Sequence, residues 1–497
     1  MVIHQLHRHP ENPRTGVMNA PGPLLAIRAD ASHHGGTGHI MRTLAIAQTW
    51  LARGGRVRFL CAALPDALEQ KLISSGADVV RIDPENDAFD TAAAVTDGGA
   101  VALLVDHYDL TDNWWRALPT TRRWKTAALN DFTVPIHPLA DLRISPRAVA
   151  LPGEAPSGPE FLLVRDEIRR ADEPVTTSPS AQRVLLVLGG ADPRNAGPQV
   201  AAQAIALEPD VSLRAVVGPA ATNLDAFLQL APSVEVIHCP ASMRPHYLWA
   251  DTAIVSPSTT AFETLHHGLP TGLIVTAGNQ EEVADDLTKL GCAVPLADAR
   301  SDGWQLDAGK LHALFHDEKS RQTLSTSASA LVDGMGAGRA CDALGLPEIS
   351  FHPATDDDAR QTWEWANDPD SRAASFSSDP IPWETHRDWF LRRIASADPV
   401  WIATAGGEAI GLIRFDAADK DVLTISINLS PSSRGRGWSA LVISRAVDAI
   451  RTLRPDAAIH AWIKPSNEAS RRAFARAGFQ QKIDPSHQDR LLYIHTP

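Results

Sequence analysis

The chain has 497 residues, 44% hydrophobic and 21% charged, too long for one ordinary core and too apolar for a disordered or fibrous chain. Length alone suggests two to four domains. With 46 basic against 59 acidic side chains the formal charge is −13, which argues against broad nucleic-acid binding but leaves room for local basic pockets that hold phosphates. Four scattered cysteines (Cys61, Cys239, Cys292, Cys341) show neither a metal spacing nor a disulfide framework. No run approaches the roughly 18 apolar residues of a membrane span. Residues 1–23 are rich in His, Pro and Asn and lack the apolar centre of a signal peptide, so they read as a flexible tail. A cytoplasmic location with no membrane partner is expected.

From residue 24 onward, short apolar runs alternate with helical patterns. Leu24–Arg28, Val57–Cys61, Val101–Asp106, Val184–Leu188, Leu213–Val217, Ala253–Val255 and Leu273–Val275 read as buried strands, with amphipathic segments such as His39–Arg53 and Ala196–Ala206 between them. Such alternation predicts α/β architecture with parallel sheets. A Pro/Ser/Thr-rich break at Ala171–Ala181 divides it into two lobes, 24–175 and 183–345. Beyond a Gly-rich stretch from Gly334 to Pro347 the composition changes: seven of the 13 tryptophans and none of the five methionines lie after residue 350. Residues 349–497 therefore read as a separate domain.

The sharpest local signal runs from Ala26 to Arg42, a strand, a turn containing Gly35, Gly36 and Gly38, and a helix opening near His39. Glycines allow close backbone approach to a ligand, and a helix N-terminus offers free N–H groups to an anion. His39 belongs in the first helical turn, facing the cleft at the carboxyl ends of the strands. An imidazole facing the positive end of a helix dipole tends to stay neutral, as a general base must. His266-His267 looks metal-like, but adjacent histidines on a helix point apart, so a helical surface is expected and no metal site is assigned.

Arg28-x-Asp30 with Gly36-x-Gly38-His39-x-x-Arg42 resembles the hydrolases of the pseudaminic acid pathway, which remove UDP from UDP-2,4-diacetamido-2,4,6-trideoxy-altropyranose and have a two-lobed, GT-B-like fold. Further matches follow in order: Val105-Asp106-His107-Tyr108, Gly158-Pro159 before Phe161–Arg165, Gly189-Gly190-x-Asp192-Pro193, Thr259-Thr260-x-x-Glu263, Gly268-Leu269-Pro270 and Asn279-Gln280. The resemblance implies a GT-B-like pair of Rossmann-type lobes in which His39 takes the proton of a water attacking the anomeric carbon. It places the diphosphate near Thr259–Glu263 and assigns substrate contacts to Arg28, Asp30, Gly38, Asp106, His107, Tyr108, Thr259, Thr260, Glu263, Asn279 and Gln280. Arg28 and Asp30 fit a structural ion pair equally well. Three departures stand out. Pro257-Ser258 replaces the family's glycine pair and removes an N–H donor. Asn130-Asp131 replaces Asp-Asp, and an Asp-Gln-Asn segment is missing around Ser145–Arg147.

In the last domain, Val400–Thr404, Ala409–Phe415, Val422–Leu429 and Ala458–Ile463 read as strands and Ser439–Leu453 as a helix. Arg434-Gly435-Arg436-Gly437-Trp438-Ser439 stands at a strand-to-helix turn, an arrangement suited to a pyrophosphate. Followed by Asn467-x-x-Ser470-x-x-x-Phe474-x-x-x-Gly478-Phe479, it resembles the GNAT acyl-CoA N-acetyltransferases, which implies an α+β fold and acetyl-CoA as cosubstrate. Residues 434–439 would then hold the CoA diphosphate and Asn467 the pantetheine arm. Candidates for the acceptor pocket are His386, Trp389, Arg372 and Asn367, although aromatics such as Trp383 and Trp389 more often belong to a core. Phe474 occupies the position where many members carry an acidic tyrosine, so Ser470 or water is left as the acid.

Together the two resemblances imply a bifunctional enzyme that acetylates a UDP-linked amino sugar and then hydrolyses the product. The alternatives are a GT-B glycosyltransferase fused to an acetyltransferase, or a nucleotide-sugar-binding protein with a degenerate hydrolase half. The sequence does not specify an oligomeric state.

Overall fold

A computed structural model describes residues 22–32, 36–133, 137–153, 156–170, 180–419, 421–436, 438–482 and 489–497. Gly35, Gly437, residues 171–179 of the expected break and residues 1–21 of the expected tail 1–23 lie outside the described residues. The chain divides into two compact units, one spanning Pro23–Glu348 and one holding Ile349–Pro497.

The larger unit contains two six-stranded parallel sheets. The first is built from β1 (Leu24–Ala29), β2 (Arg56–Cys61), β3 (Asp78–Arg81), β4 (Ala100–Asp106), β5 (Lys125–Leu129) and β6 (Leu142–Ile144), in the order β3-β2-β1-β4-β5-β6. The second is built from β7 (Arg183–Val187), β8 (Ser212–Val217), β9 (Val234–His238), β10 (Thr252–Val255), β11 (Thr271–Val275) and β12 (Ala293–Asp298), in the order β12-β11-β10-β7-β8-β9. Counted from its own first strand, the second sheet repeats the order of the first. This is the doubly wound, Rossmann-like arrangement, whose ligands sit outside the carboxyl ends of the strands.

Parallel strands covered on both faces need continuous apolarity rather than alternation. β1 obeys this: all six of its residues are buried. The expected strands all form, with ends shifted by a residue or two. β3, β5, β6, β9 and β12 went unread; β3, β6, β9 and β12 are edge strands, and β3, β6 and β9 are partly exposed and short of a full apolar run. The helix Gly38–Ala52 covers β1 and β2, burying Ile40, Leu44, Ile46 and Trp50. The last helix of the unit, Gly336–Leu344, returns to pack on Gly38–Ala52, with Arg53 Nη1 donating to Asp342 Oδ1 at 2.7 Å and to the Leu346 carbonyl at 2.7 Å. Gly336 is required there, because a Cβ would lie 2.2 Å from the Leu162 carbonyl oxygen.

The smaller unit is one seven-stranded mixed sheet of β13 (Ile349–Pro353), β14 (Val400–Ala405), β15 (Glu408–Asp419), β16 (Val422–Leu429), β17 (Ala458–Ile463), β18 (Gln480–Lys482) and β19 (Leu491–His495). Side chains alternate between its faces. Ala403, Ile413, Phe415, Ile425 and Ile459 pack under the helix Ser439–Leu453, whereas Val400, Ile402 and Leu412 meet Phe390 of the helix Trp383–Ile394. β16 and β17 are parallel neighbours, but their pairing covers only Val422–Thr424 against Ala458–His460. Beyond that point β16 bonds only to β15, and β17 to β19, so the two strands splay apart. Among the described residues no helix is long and apolar enough to cross a membrane.

Candidate active sites

A cleft of about 830 Å³ lies in the larger unit. Its walls come from segments that follow the carboxyl ends of strands in both sheets: Gly36–Arg42 after β1, Tyr108 after β4, Asp131 after β5, Gly189–Asp192 after β7, Ser256–Glu263 after β10, and Thr276–Gln280 after β11. The topology explains why residues more than 200 positions apart share one cavity.

The β1 turn is closed by Ser32 and Gly36, each N–H donating to the other's carbonyl. Gly36 has φ +76°, a region that strains any residue with a side chain. The helix then opens at Gly38, and His39 enters the cleft with its Nδ1 2.7 Å from Asp106 Oδ1. Asp106 ends β4, is fully buried, and also accepts from Arg42 Nε at 2.6 Å and Nη2 at 2.5 Å. Burial alone would raise the Asp106 carboxyl, but the charges of Arg42 and His39 outweigh it and hold the group well below the usual carboxylate range. An ionised carboxylate can only accept, so Nδ1 carries a proton, and in the neutral ring the lone pair is on Nε2. Arg42 also pairs with Asp131, to which the Tyr108 hydroxyl donates at 2.7 Å, and the Tyr108 ring meets His39 edge-on at 4.3 Å. Arg42 and Asp131 were not among the expected site residues. Arg42 was legible, since it lies three residues from His39 on one helical face; the role of Asp131 depends on β5 standing beside β4.

Several expected ligands have other duties. Arg28, 1% exposed, is bound by Asp30 at 2.7 Å and Asp87 at 2.6 Å and forms the structural ion pair. Asp30 also accepts from the backbone N–H groups of Ala62 and Ala63, and His107 Nε2 stands 3.1 Å from it. Glu263 lines the cleft but is buried, with Oε1 accepting from Arg165 at 3.0 Å and Oε2 from the Tyr247 hydroxyl at 2.7 Å. Gln280 Oε1 accepts from the Thr276 N–H at 2.8 Å. Thr259 and Thr260 open the helix Thr259–His266, and with Asn279 and Gly38 they line the cleft. His266 and His267 are buried rather than on a helical surface: their rings bond the Val332 and Ile168 carbonyls, and His266 accepts the Arg170 N–H. The two halves meet where a Cβ on Gly190 would lie 2.0 Å from Thr37 Oγ1.

In the smaller unit the Arg434–Ser439 turn follows β16. Gly435 has φ +74°, and Ser439 starts the helix Ser439–Leu453. The Arg434 side chain faces inward, pairing with Asp368 and donating to Ser371 Oγ at 2.7 Å, so it holds neighbouring helices instead of offering itself to an anion. Arg436 is exposed and stacks over Trp438 at 5.0 Å. Asn467 Oδ1 caps its own helix through the Ser470 N–H at 3.1 Å. His386 is 3% exposed, 3.2 Å from Thr362 Oγ1, and burial pushes its ring down to about 4. Asn367 and Arg372 bind backbone carbonyls, and Trp383 and Trp389 pack on the core. The acceptor residues expected from the sequence are thus largely framework. Phe474 is buried against Phe479.

Residues 348–480 match the family model described as the acetyltransferase (GNAT) domain, so the smaller unit is a GNAT domain. A curated relative, an uncharacterized protein of Methanocaldococcus jannaschii, is 23% identical over 256 residues, 49% of this chain and 50% of its own length. The chain thus spans about half of that relative. Among solved structures, the glycotransferase of kitacinnamycin is similar over 65% of this chain and 98% of its own, at 18% identity and a TM-score of 0.47. An aminoglycoside acetyltransferase in complex with coenzyme A covers 30% of this chain and 95% of its own, at 18% identity and a TM-score of 0.27. The spermidine N-acetyltransferase of Vibrio cholerae, in complex with CoA and spermine, has the same coverages at 16% identity and a TM-score of 0.27.

Proposed function

We propose that the chain is a bifunctional nucleotide-sugar enzyme of nonulosonic (pseudaminic-type) acid biosynthesis. Its GNAT domain transfers acetyl from acetyl-CoA to the 4-amino group of a UDP-4-amino-4,6-dideoxy-sugar, and its GT-B-like pair of lobes removes UDP from the diacetamido product. The observation that carries the hydrolase half is the His39–Asp106 pair at a helix opening, inside a cleft walled by the carboxyl ends of two Rossmann-like sheets.

In this reading a water attacks the anomeric carbon while the bond to the UDP oxygen breaks. His39 Nε2 takes the water's proton, and Asp106 balances the imidazolium that forms. The diphosphate lies at the opening of Thr259–His266, where backbone N–H groups and the helix dipole favour anions. Pro257 supplies no N–H there, so the hydroxyls of Thr259 and Thr260 and the Gly189–Gly190 turn contribute instead. Asn279 and the free amide nitrogen of Gln280 face the nucleoside or sugar.

For acetyl transfer, the gap between β16 and β17 receives the pantetheine arm and the Arg434–Ser439 turn holds the diphosphate, with Arg436 as the available side-chain cation. The amine attacks the thioester carbonyl, the C–S bond breaks, and the proton lost by the amine reaches the leaving thiolate by way of Ser470 or water, giving the amide and the free CoA thiol. Joined on one chain, the two activities raise the local concentration of the shared intermediate.

The test is product analysis. Incubated with acetyl-CoA and a UDP-4-amino-4,6-dideoxy-sugar, the protein releases CoA first and UDP afterwards. Release of UDP only when an acceptor sugar is added would make the cleft a glycosyltransferase, and binding without turnover would make it a receptor site.

A further inference from the structure

Away from the cleft, the helices Ala196–Leu207 and Ala308–His316 lie over the core of the second sheet, one burying Val200, Ala201 and Ala204 and the other Leu311, Leu314 and Phe315. Three potential ligands converge at their ends. Glu208 is the residue that terminates the first helix, and its side chain is only 13% exposed. His312 and His316 are four residues apart on the second helix, so their rings share one face. His312 Nδ1 is 2.9 Å from Glu208 Oε1 and His316 Nε2 is 2.8 Å from Oε2, with ring centroids 4.4 Å apart. The ligand atoms all lie within 4.8 Å of one another. None of the three lines the cleft.

We propose that Glu208, His312 and His316 form a binding site for a divalent transition-metal ion of the zinc type, which ties the two helices together. Two imidazole nitrogens and one carboxylate oxygen are a known donor set for zinc, with water completing a tetrahedron. Ligand atoms around a tetrahedral ion with metal–ligand bonds of about 2.0–2.2 Å stand roughly 3.4 Å apart, so the 2.8 and 2.9 Å contacts would open by side-chain rotation to admit the ion. A bound ion would take one lone pair from each imidazole and place its charge beside the Glu208 carboxylate. Being exposed, the histidines leave the ion a path from solvent.

The test uses the full chain. Zinc titration by calorimetry, with a chelator competing for weak sites, compares the wild type with the His312→Gln/His316→Gln double variant and with Glu208→Gln. Thermal midpoints are measured with and without zinc. The expected result is one zinc equivalent fewer in the double variant, binding at this site weakened by more than about tenfold in Glu208→Gln, and a zinc-induced rise in midpoint seen only in the wild type. Cobalt(II) gives a second readout, a visible band of tetrahedral type that the double variant lacks. Equal zinc stoichiometry and equal thermal shifts in wild type and double variant would overturn the proposal. So would a wild type that takes up no zinc at micromolar free metal.

Discussion

His39 Nδ1 and Asp106 Oδ1 stand 2.7 Å apart although 67 positions separate them in the chain. The contact fixes which imidazole nitrogen is free, and thus what His39 can do. Replacing His39 by Ala lowers UDP release about 10²–10⁴-fold while the fold persists, because Arg42 still neutralises Asp106. Chromatographic assay of UDP alongside a melting curve checks both halves. Unchanged release would sink the assignment of the base.

The Arg165–Glu263–Tyr247 cluster is buried throughout. Glu263→Leu leaves Arg165 without its main partner and costs about 3–5 kcal/mol. Tyr247→Phe removes one hydrogen bond to a charged acceptor and costs about 1.5–3 kcal/mol. Denaturant unfolding should rank the two in that order.

Gly218 packs directly on Gly190. A Cβ there would lie 2.5 Å from the Gly190 Cα and carbonyl oxygen, and backbone can yield only by moving. Gly218→Ala should therefore destabilise the larger unit by about 1–3 kcal/mol. It should also slow UDP release, because Gly190 abuts Thr37, two residues before His39.

Arg434 and Arg436 look equivalent in the sequence but differ in the fold. Arg436→Ala should raise KM for acetyl-CoA several-fold without lowering stability, and the effect should shrink with salt as an exposed charge is screened. Arg434→Ala should instead loosen the helix Pro369–Ala374, held through Asp368 and Ser371, and lower the melting temperature.

His386 is pushed down to about 4 by burial, whereas an imidazole in an unfolded chain titrates near 6.5. Between those values the unfolded state binds the extra proton, so stability is complete above about pH 6.5 and falls as pH drops toward 4. The loss reaches roughly 3 kcal/mol for this one group. His267, also pushed down to about 4, acts in the same sense in the larger unit. Tryptophan fluorescence during urea unfolding at pH 7 and pH 4.5 would show the difference, and His386→Asn should flatten it for the smaller unit.

The alternation of apolar runs and amphipathic segments was enough to identify α/β architecture with parallel sheets, because burial on both sheet faces demands uninterrupted apolar strands. Local motifs were equally legible. The glycine turn before His39, the Arg434–Ser439 turn and the helix Ser439–Leu453 depend on neighbours within a few residues, and propensity and capping act over that range. Side-chain partners could not be read this way. Parallel sheets bring strand ends together without any sequence spacing, so only the fold pairs Asp106 with His39, Asp87 with Arg28 and Glu208 with His312 and His316. For the same reason Glu263, Arg434 and His386 looked like free ligands until tertiary structure supplied Arg165, Asp368 and Thr362 as their partners. Residue type and spacing determined which groups this chain carries; burial and strand order decided which of them remain available to a ligand.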